Sequence, residues 1–145
     1  MEFTVIERCD KETEEVLAQE GASFLKEPVS YFKKHINEFV YTESPAFEEA
    51  RIDSLSIELD EVFRLYMGLF GFRAQKKFGD SIKSFLKENL IGEEVRSSVM
   101  FSNEDGLWEM NIPLDSIEGF NEEMSMEDAA ELMHRFLINL VNSIG

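Results

Sequence analysis

The chain lacks several features that mark specialised classes of protein. Cys9 is the single cysteine, so no disulfide can form within the chain, and a reducing compartment suits it best. The longest uncharged apolar run, residues 65–72, is far shorter than the roughly 20 residues of a membrane-spanning helix. Residues 1–8 show no basic stretch followed by an apolar one, so we expect no secretory signal. These absences predict a cytoplasmic protein.

Basic residues are scarce as well. The chain has 14 Lys and Arg against 30 Asp and Glu, which gives a formal net charge of -16. Nucleic acids and anionic membranes attract cationic surfaces, so we expect no direct binding to nucleic acid and no membrane binding. A surplus of acid also keeps a protein soluble, so the charge by itself assigns no function.

Apolar residues are abundant enough for one sizeable core. Of the 145 residues, 43% are hydrophobic, and 13 are Phe. A chain of this length buries about 68–70% of the surface that its unfolded form exposes. No internal repeat, low-complexity segment or linker divides it. We therefore predict a single globular domain over residues 1–145.

The most regular pattern lies in residues 125–144. Ser125 suits an N-cap, and Asp128, three residues on, completes a capping box. The apolar residues then recur in steps of three and four: Met126, Ala129, Ala130, Met133, Phe136, Leu137, Leu140, Val141 and Ile144. This spacing predicts a long amphipathic helix with one continuous apolar stripe.

Residues 95–114 predict a β-hairpin, because apolar side chains alternate on both arms and a polar cluster with Asp105-Gly106 lies between them. Residues 2–9 alternate too and predict an N-terminal strand. We make that strand the third of the sheet, since two strands alone are marginally stable. The predicted fold is α+β: a small antiparallel sheet, formed by the N-terminal strand and the 95–114 hairpin, packs against the C-terminal amphipathic helix and two to four further helices.

Two of these further helices are predicted in the first third of the chain. Asp10 as an N-cap and Gly21 as a C-terminal stop predict a short helix over residues 11–20. Pro28 suits a first helical position, and the apolar residues after it follow in steps of three and four. This pattern predicts a second helix over residues 28–40.

The middle of the chain predicts two more helices. Residues 55–59 alternate as in a strand, but the same residues also fit a helical stripe, and we prefer a helix over residues 56–70. Asp80 or Ser81 begins the next helix, which Gly92 ends.

Charge is distributed unevenly along the chain. Residues 1–63 carry six basic and sixteen acidic residues, residues 64–92 carry six and two, and residues 93–145 carry two and twelve. The basic middle can neutralise the acidic ends within one molecule, through exposed ion pairs of about 0–1 kcal/mol each. It can also dock a partner or a second copy of the chain.

Arg73, Lys76 and Lys77 follow the apolar run of residues 65–72 directly. If part of that run is exposed, an apolar anchor beside basic side chains forms a good interface. If the run lies in the core, the three cations are ordinary surface residues.

The acidic ends suggest a basic partner. Exposed clusters are expected around Glu12, around Glu48 and before the C-terminal helix, where we name Glu118, Glu122, Glu123 and Glu127 as partner-binding candidates. Complementary charge speeds encounter and selects partners. A solvated acidic surface without a partner is the plain alternative.

The sequence gives little support to catalysis. Glu131 and His134 form one Glu-x-x-His step on the predicted C-terminal helix, whereas di-metal bundles need two such motifs and further carboxylates. They are weak metal candidates, and we predict no metal site, no cofactor and no catalytic residue. The sequence pattern places no histidine beside Cys9, and the chain contains no phosphate-binding or nucleophile motif.

The leading prediction is a small acidic protein-binding module, of an inhibitor, immunity or chaperone-like kind, that engages a basic or mixed-charge protein partner. One alternative is a small-molecule-binding or metal-binding domain, or an enzyme, with its site between the C-terminal helix and the hairpin. The other is a self-associating protein, a homo-oligomer without catalytic activity.

Overall fold

The structure contains far more β-strand than we predict from the sequence pattern. The structure, a computed structural model, describes residues 1–144. They form one antiparallel sheet of seven strands in the order β2-β1-β3-β4-β5-β7-β6. The strands are β1 Val5–Asp10, β2 Val16–Gln19, β3 Glu38–Glu43, β4 Leu55–Leu59, β5 Tyr66–Phe72, β6 Ser98–Ser102 and β7 Leu107–Pro113.

Three α-helices accompany the sheet, which confirms the mixed α/β class with a C-terminal helix. They are α1 Tyr31–Lys34, α2 Gly79–Asn89 and α3 Met126–Ile144. Short 3₁₀ turns span Ala22–Lys26, Pro45–Ala50, Lys76–Phe78 and Leu114–Ser116. The Ser125 side chain accepts a hydrogen bond from the Asp128 backbone N–H at 3.0 Å, so α3 begins at the predicted N-cap.

One face of the sheet is buried. Strand β4 places Leu55, Ile57 and Leu59 in the core, and the matching residues of the other central strands lie beside them. The α3 stripe lies close to this face, because a methyl group at Gly68 of β5 would lie 2.7 Å from the Met133 Cε. The start of α2 lies against the same face at Trp108.

Three hairpins have the same type of turn. In each, a side-chain oxygen of the first turn residue accepts the N–H of the residue three positions on, and the residue four positions on is left-handed. The first residues are Asp10, Asp60 and Ser102, and the left-handed residues are Glu14 (φ 64), Arg64 (φ 58) and Gly106 (φ 69). The left-handed residue donates its N–H to the carbonyl of the first, at 2.8, 2.9 and 2.8 Å.

These turns overturn two predicted helices. The helix over residues 11–20 is wrong, because the chain reverses after Asp10 and returns as β2. The helix over residues 56–70 is wrong as well, since β4 and β5 form a hairpin there. The alternation of residues 55–59, which also fitted a strand, was the correct pattern.

The helix over residues 28–40 is mostly wrong. Only the four residues of α1 are helical, and Glu38–Glu43 forms β3, in which Val40 and Thr42 are buried. The 95–114 hairpin and the helix after residue 79 are confirmed as β6–β7 and α2. Strand β1 belongs to the sheet, but β3, β4 and β5 separate it from that hairpin.

Candidate functional site

The second face of the sheet carries no comparable apolar layer, and we call it the open face. Strand pairing defines it, because partners in register lie on the same side of a sheet. One row of successive partners crosses all seven strands: Gln19, Glu7, Tyr41, Ser56, Leu69, Asn111 and Ser98. The rows beside it add Val5, Glu43, Phe39, Glu58, Met67, Glu109 and Met100.

The open face is acidic. Its strand positions hold four carboxylates, Glu7, Glu43, Glu58 and Glu109, and no Lys, Arg or His. Lys11 reaches this face from the β1–β2 turn and neutralises one of the four, since its Nζ lies 3.2 Å from the Glu58 carboxylate. Glu109 is exposed and forms no salt bridge within residues 1–144. The face therefore presents a local negative potential.

Tyr41 lies in the middle of this surface. Its hydroxyl donates a hydrogen bond to the Glu43 carboxylate. Partial burial raises the pKa of Tyr41, and the hydrogen bond to Glu43 and the charge of Glu7 raise it further. The phenol therefore stays neutral on the open face and orients one of the four carboxylates.

Apolar side chains lie among the carboxylates. Phe39, Met67 and Leu69 are half-buried, and Met100 is 61% exposed. Where β4 turns into β5, Val62 is 78% exposed and the Arg96 guanidinium stacks 3.7 Å from the centre of the Phe63 ring. Apolar side chains bordered by polar ones match the apolar centre and polar rim of a protein–protein interface.

The predicted acidic candidates before α3 and in its first turn lie elsewhere, and two of the four are neutralised within the molecule. Glu122 accepts from the Lys33 Nζ at 2.8 Å and from the Tyr66 hydroxyl at 2.9 Å, and the Lys33 bond is the first cause that lowers the pKa of Glu122. Glu127 pairs with Lys26 at 3.1 Å. Glu118 and Glu123 are exposed and form no salt bridge within residues 1–144.

The predicted basic candidates separate as well. Arg73 pairs with Asp53 and, at 3.2 Å, with Glu48, so its charge is neutralised locally. Lys76 and Lys77 lie in the 3₁₀ turn before α2 and sit over phenyl rings, of Phe101 at 5.8 Å and of Phe78 at 5.4 Å.

The apolar run beside these cations divides between the two faces of the sheet. Within residues 65–72, Tyr66, Gly68, Phe70 and Phe72 are buried, whereas Met67 and Leu69 lie on the open face.

Glu131 and His134 contact different groups. The His134 Nε2 lies 2.9 Å from the Ala46 carbonyl oxygen and 3.1 Å from the Glu49 carboxylate, so its N–H donates and its ring ties α3 to the Pro45–Ala50 turn. The Glu131 carboxylate lies 3.4 Å from the amino group of Met1. In residues 1–144 no three His, Cys, Asp or Glu side chains group to hold a metal ion.

Cys9 is buried against the open-face side of β1, and burial raises the pKa of its thiol. A raised pKa keeps the thiol protonated and unreactive at neutral pH. The geometry therefore favours a packing role for this side chain.

The sequence reasoning missed the open face because it assigned residues 38–40 and 56–70 to helices. The signal was present in residues 55–59, where apolar and polar residues alternate, whereas in residues 39–42 only the burial alternates, with Val40 and Thr42 inside. Both stretches also satisfied a helical spacing, so the pattern alone did not separate the two.

Comparison of the chain with protein-family models, with curated proteins and with solved structures finds no match. Among residues 1–144, no helix combines the length and the apolar character that crossing a bilayer requires. The functional conclusion therefore depends on the geometry of the surface.

Proposed function

We propose that the chain is a protein-binding module and that its open face engages a basic surface or segment of a protein partner. The observation that carries the proposal is a sheet face with four carboxylates, no cation at its strand positions and accessible apolar side chains between them. An inhibitory, immunity-type or chaperone-like role fits such a surface, because each works by covering part of another protein.

The two kinds of side chain have separate tasks in this proposal. Carboxylates raise the rate of encounter with a basic partner and fix its orientation. Met67, Leu69 and Met100 supply apolar area that becomes desolvated in the complex and holds it together. Exposed charge pairs are screened by salt, so the association rate falls as ionic strength rises.

The test is capture of partners from the lysate of the native host, at low and at high salt, with two charge-reversed variants. Glu7→Lys with Glu109→Lys reverses two carboxylates of the open face. Glu118→Lys with Glu123→Lys reverses two exposed carboxylates before α3 and is the matched control. We expect one stoichiometric partner that is retained by the control, lost from the open-face variant and weakened at high salt.

The opposite pattern, with loss only from the control variant, would move the binding site to the segment before α3. A partner retained by both variants, or the absence of any stoichiometric partner, would overturn the proposal. Circular dichroism of each variant establishes that the fold is intact before capture.

A further inference from the structure

Strand β6 is an edge of the sheet that lacks the usual protection. It pairs with β7 on one side only, in continuous register, and its sequence Ser98-Val99-Met100-Phe101-Ser102 has neither charge nor proline. Natural edge strands are blunted by charges, proline, bulges or short length. The opposite edge, β2, has four residues and a register shift against β1. Strand β6 is therefore the edge better suited to accept another strand.

A groove runs beside this edge, between α2 and the chain that leads into β6. It has a volume of about 490 Å³ and is lined by apolar side chains of Leu86, Leu90, Val95 and Val99, with Gly92, Glu93 and Ser97 on the chain that leads into β6. This volume lies within the range of about 300–1,000 Å³ that ligand sites occupy. We call this feature the edge groove.

The edge groove is bordered by two lysines. Lys83 and Lys87 lie one turn apart on α2, and both are exposed and line the cavity. Within residues 1–144, neither lies within 4.0 Å of a carboxylate. Two unneutralised cations beside an apolar floor are the opposite of the open face, where carboxylates surround apolar side chains. The two lysines outnumber Glu93, the one carboxylate of the lining, so an acidic and partly apolar occupant fits the edge groove best.

We propose that the edge groove binds an extended acidic segment of a protein partner, which adds to the sheet as an eighth strand beside β6. The main chain of the segment pairs with the free N–H and C=O groups of the edge, and alternate side chains enter the apolar floor. Its carboxylates reach Lys83 and Lys87. Such a segment matches all three features of the site: the unpaired edge, the apolar floor and the two cations.

The test uses random peptides displayed on phage and selected against the full chain. We expect enrichment of sequences with alternate apolar residues and flanking Asp or Glu. An enriched peptide should bind about tenfold more weakly to the variant Lys83→Glu with Lys87→Glu, since two exposed ion pairs are lost. The variant Lys33→Glu with Lys34→Glu makes the same charge change on α1 and should bind the peptide like the original chain.

Nuclear magnetic resonance then tests strand addition itself. Addition of the enriched peptide should shift the backbone amides of residues 98–102 and slow the solvent exchange of those that point away from β7, whereas side-chain binding alone would leave their exchange unchanged and overturn the proposal. Enrichment of basic peptides, or no enrichment, would also overturn it. Protection of the same amides by raising the concentration of the chain alone, with dimers in sedimentation, would make a second copy the occupant and refute the acidic-segment proposal.

Discussion

At the scale of single residues, each of the three tyrosines donates its hydroxyl hydrogen bond to a glutamate. The pairs are Tyr31 with Glu38 at 2.7 Å, Tyr41 with Glu43, and Tyr66 with Glu122 at 2.9 Å. Burial is the main cause that raises the pKa of each phenol, and for Tyr31 it reaches about 12. A carboxylate acceptor disfavours a second negative charge on the phenol oxygen, which adds to the effect.

These phenols make the fold sensitive to alkali. A folded-state pKa above the unfolded value of about 10 means that the native chain holds protons that the unfolded chain has lost. The contribution of the protonated tyrosines to the free energy of unfolding is fully present below pH 10 and is lost as the pH rises towards 12. We expect the midpoint of urea unfolding to fall over this range and phenolate absorbance to rise together with unfolding. A tyrosine that titrates near pH 10 in the folded chain would contradict this prediction.

Gly79 shows how closely α2 approaches the sheet. A methyl group there would lie 2.7 Å from the buried Trp108 ring. We expect Gly79→Ala to lower the free energy of unfolding by about 1–2 kcal/mol, because overpacking costs about 1–3 and a helical alanine returns up to about 1. Gly21→Ala, with nothing within 4 Å, is the control and should leave the stability nearly unchanged. Equal effects in urea denaturation would argue against close packing at Trp108.

Trp108 itself lies in the core, where it is 5% exposed. Trp108→Ala should cost about 3–5 kcal/mol, as other large buried aromatics do. Far-ultraviolet circular dichroism measures the loss, since the chain has no other tryptophan to report by fluorescence. A loss below about 1 kcal/mol would place the ring at the surface.

At the scale of elements, the repeated hairpin turn explains why the predicted helices failed. An Asp side chain that accepts the N–H three residues on begins a helix and a turn alike. The two outcomes differ at the residue four positions on, which continues the helix or adopts a left-handed conformation. Only Gly106 signals that conformation in the sequence, and the 95–114 hairpin was the one predicted correctly. Glu14 and Arg64 give no such signal.

Arg64 therefore carries a conformational cost that glycine would remove. A left-handed residue with a Cβ costs roughly 1–2 kcal/mol, and glycine loses about 0.5–1 kcal/mol in chain entropy. We expect Arg64→Gly to raise the free energy of unfolding by about 1 kcal/mol, and Gly106→Ala to lower it by a similar amount, both measured in urea. Asp60→Ala removes the side-chain acceptor of the same turn and should also destabilise the chain. If Arg64→Gly were destabilising, the turn geometry described for β4–β5 would be incorrect.

The elements that the sequence did predict are those with independent signals. Helix α3 has a cap, a 19-residue stripe and no competing strand pattern, and α2 has a similar short stripe. Strands β3 and β5 have buried residues on one side and half-buried apolar residues such as Phe39, Met67 and Leu69 on the other, so alternation is weak in their sequences. Strand β4 alternates clearly, but its residues also fit a helical spacing. Their structure is decided by pairing with strands that are distant in the sequence, and a short stretch of sequence does not show that pairing.

At the scale of the whole molecule, internal ion pairs neutralise some of the carboxylates and leave a large excess of negative charge. Six of the 14 Lys and Arg side chains pair with carboxylates within residues 1–144: Arg8, Lys11, Lys26, Lys33, Arg73 and Arg96. Of these six, only Arg73 belongs to the basic middle, so the predicted neutralisation of the acidic ends by residues 64–92 takes place at one cation within residues 1–144. Most carboxylates remain free to repel one another.

This repulsion predicts how salt acts on stability. Screening should weaken the repulsion of a chain with net charge -16 more than it weakens a few exposed pairs, so the melting temperature at neutral pH should rise with added sodium chloride. Near the isoelectric point of about 4.4 the same salt should have little effect. A melting temperature that falls with salt at neutral pH would mean that the ion pairs outweigh the repulsion.

The order of the elements along the chain has a consequence for synthesis on the ribosome. Helix α3 lies beside Gly68 in the middle of the sheet, yet it is translated after all seven strands. When β1 to β7 have left the ribosome and α3 has not, the nascent chain therefore exposes the apolar surface that Met133 and its neighbours later cover. Chaperones that recognise apolar strands should bind this intermediate, and a premature stop before residue 126 should send the product to aggregation or proteolysis.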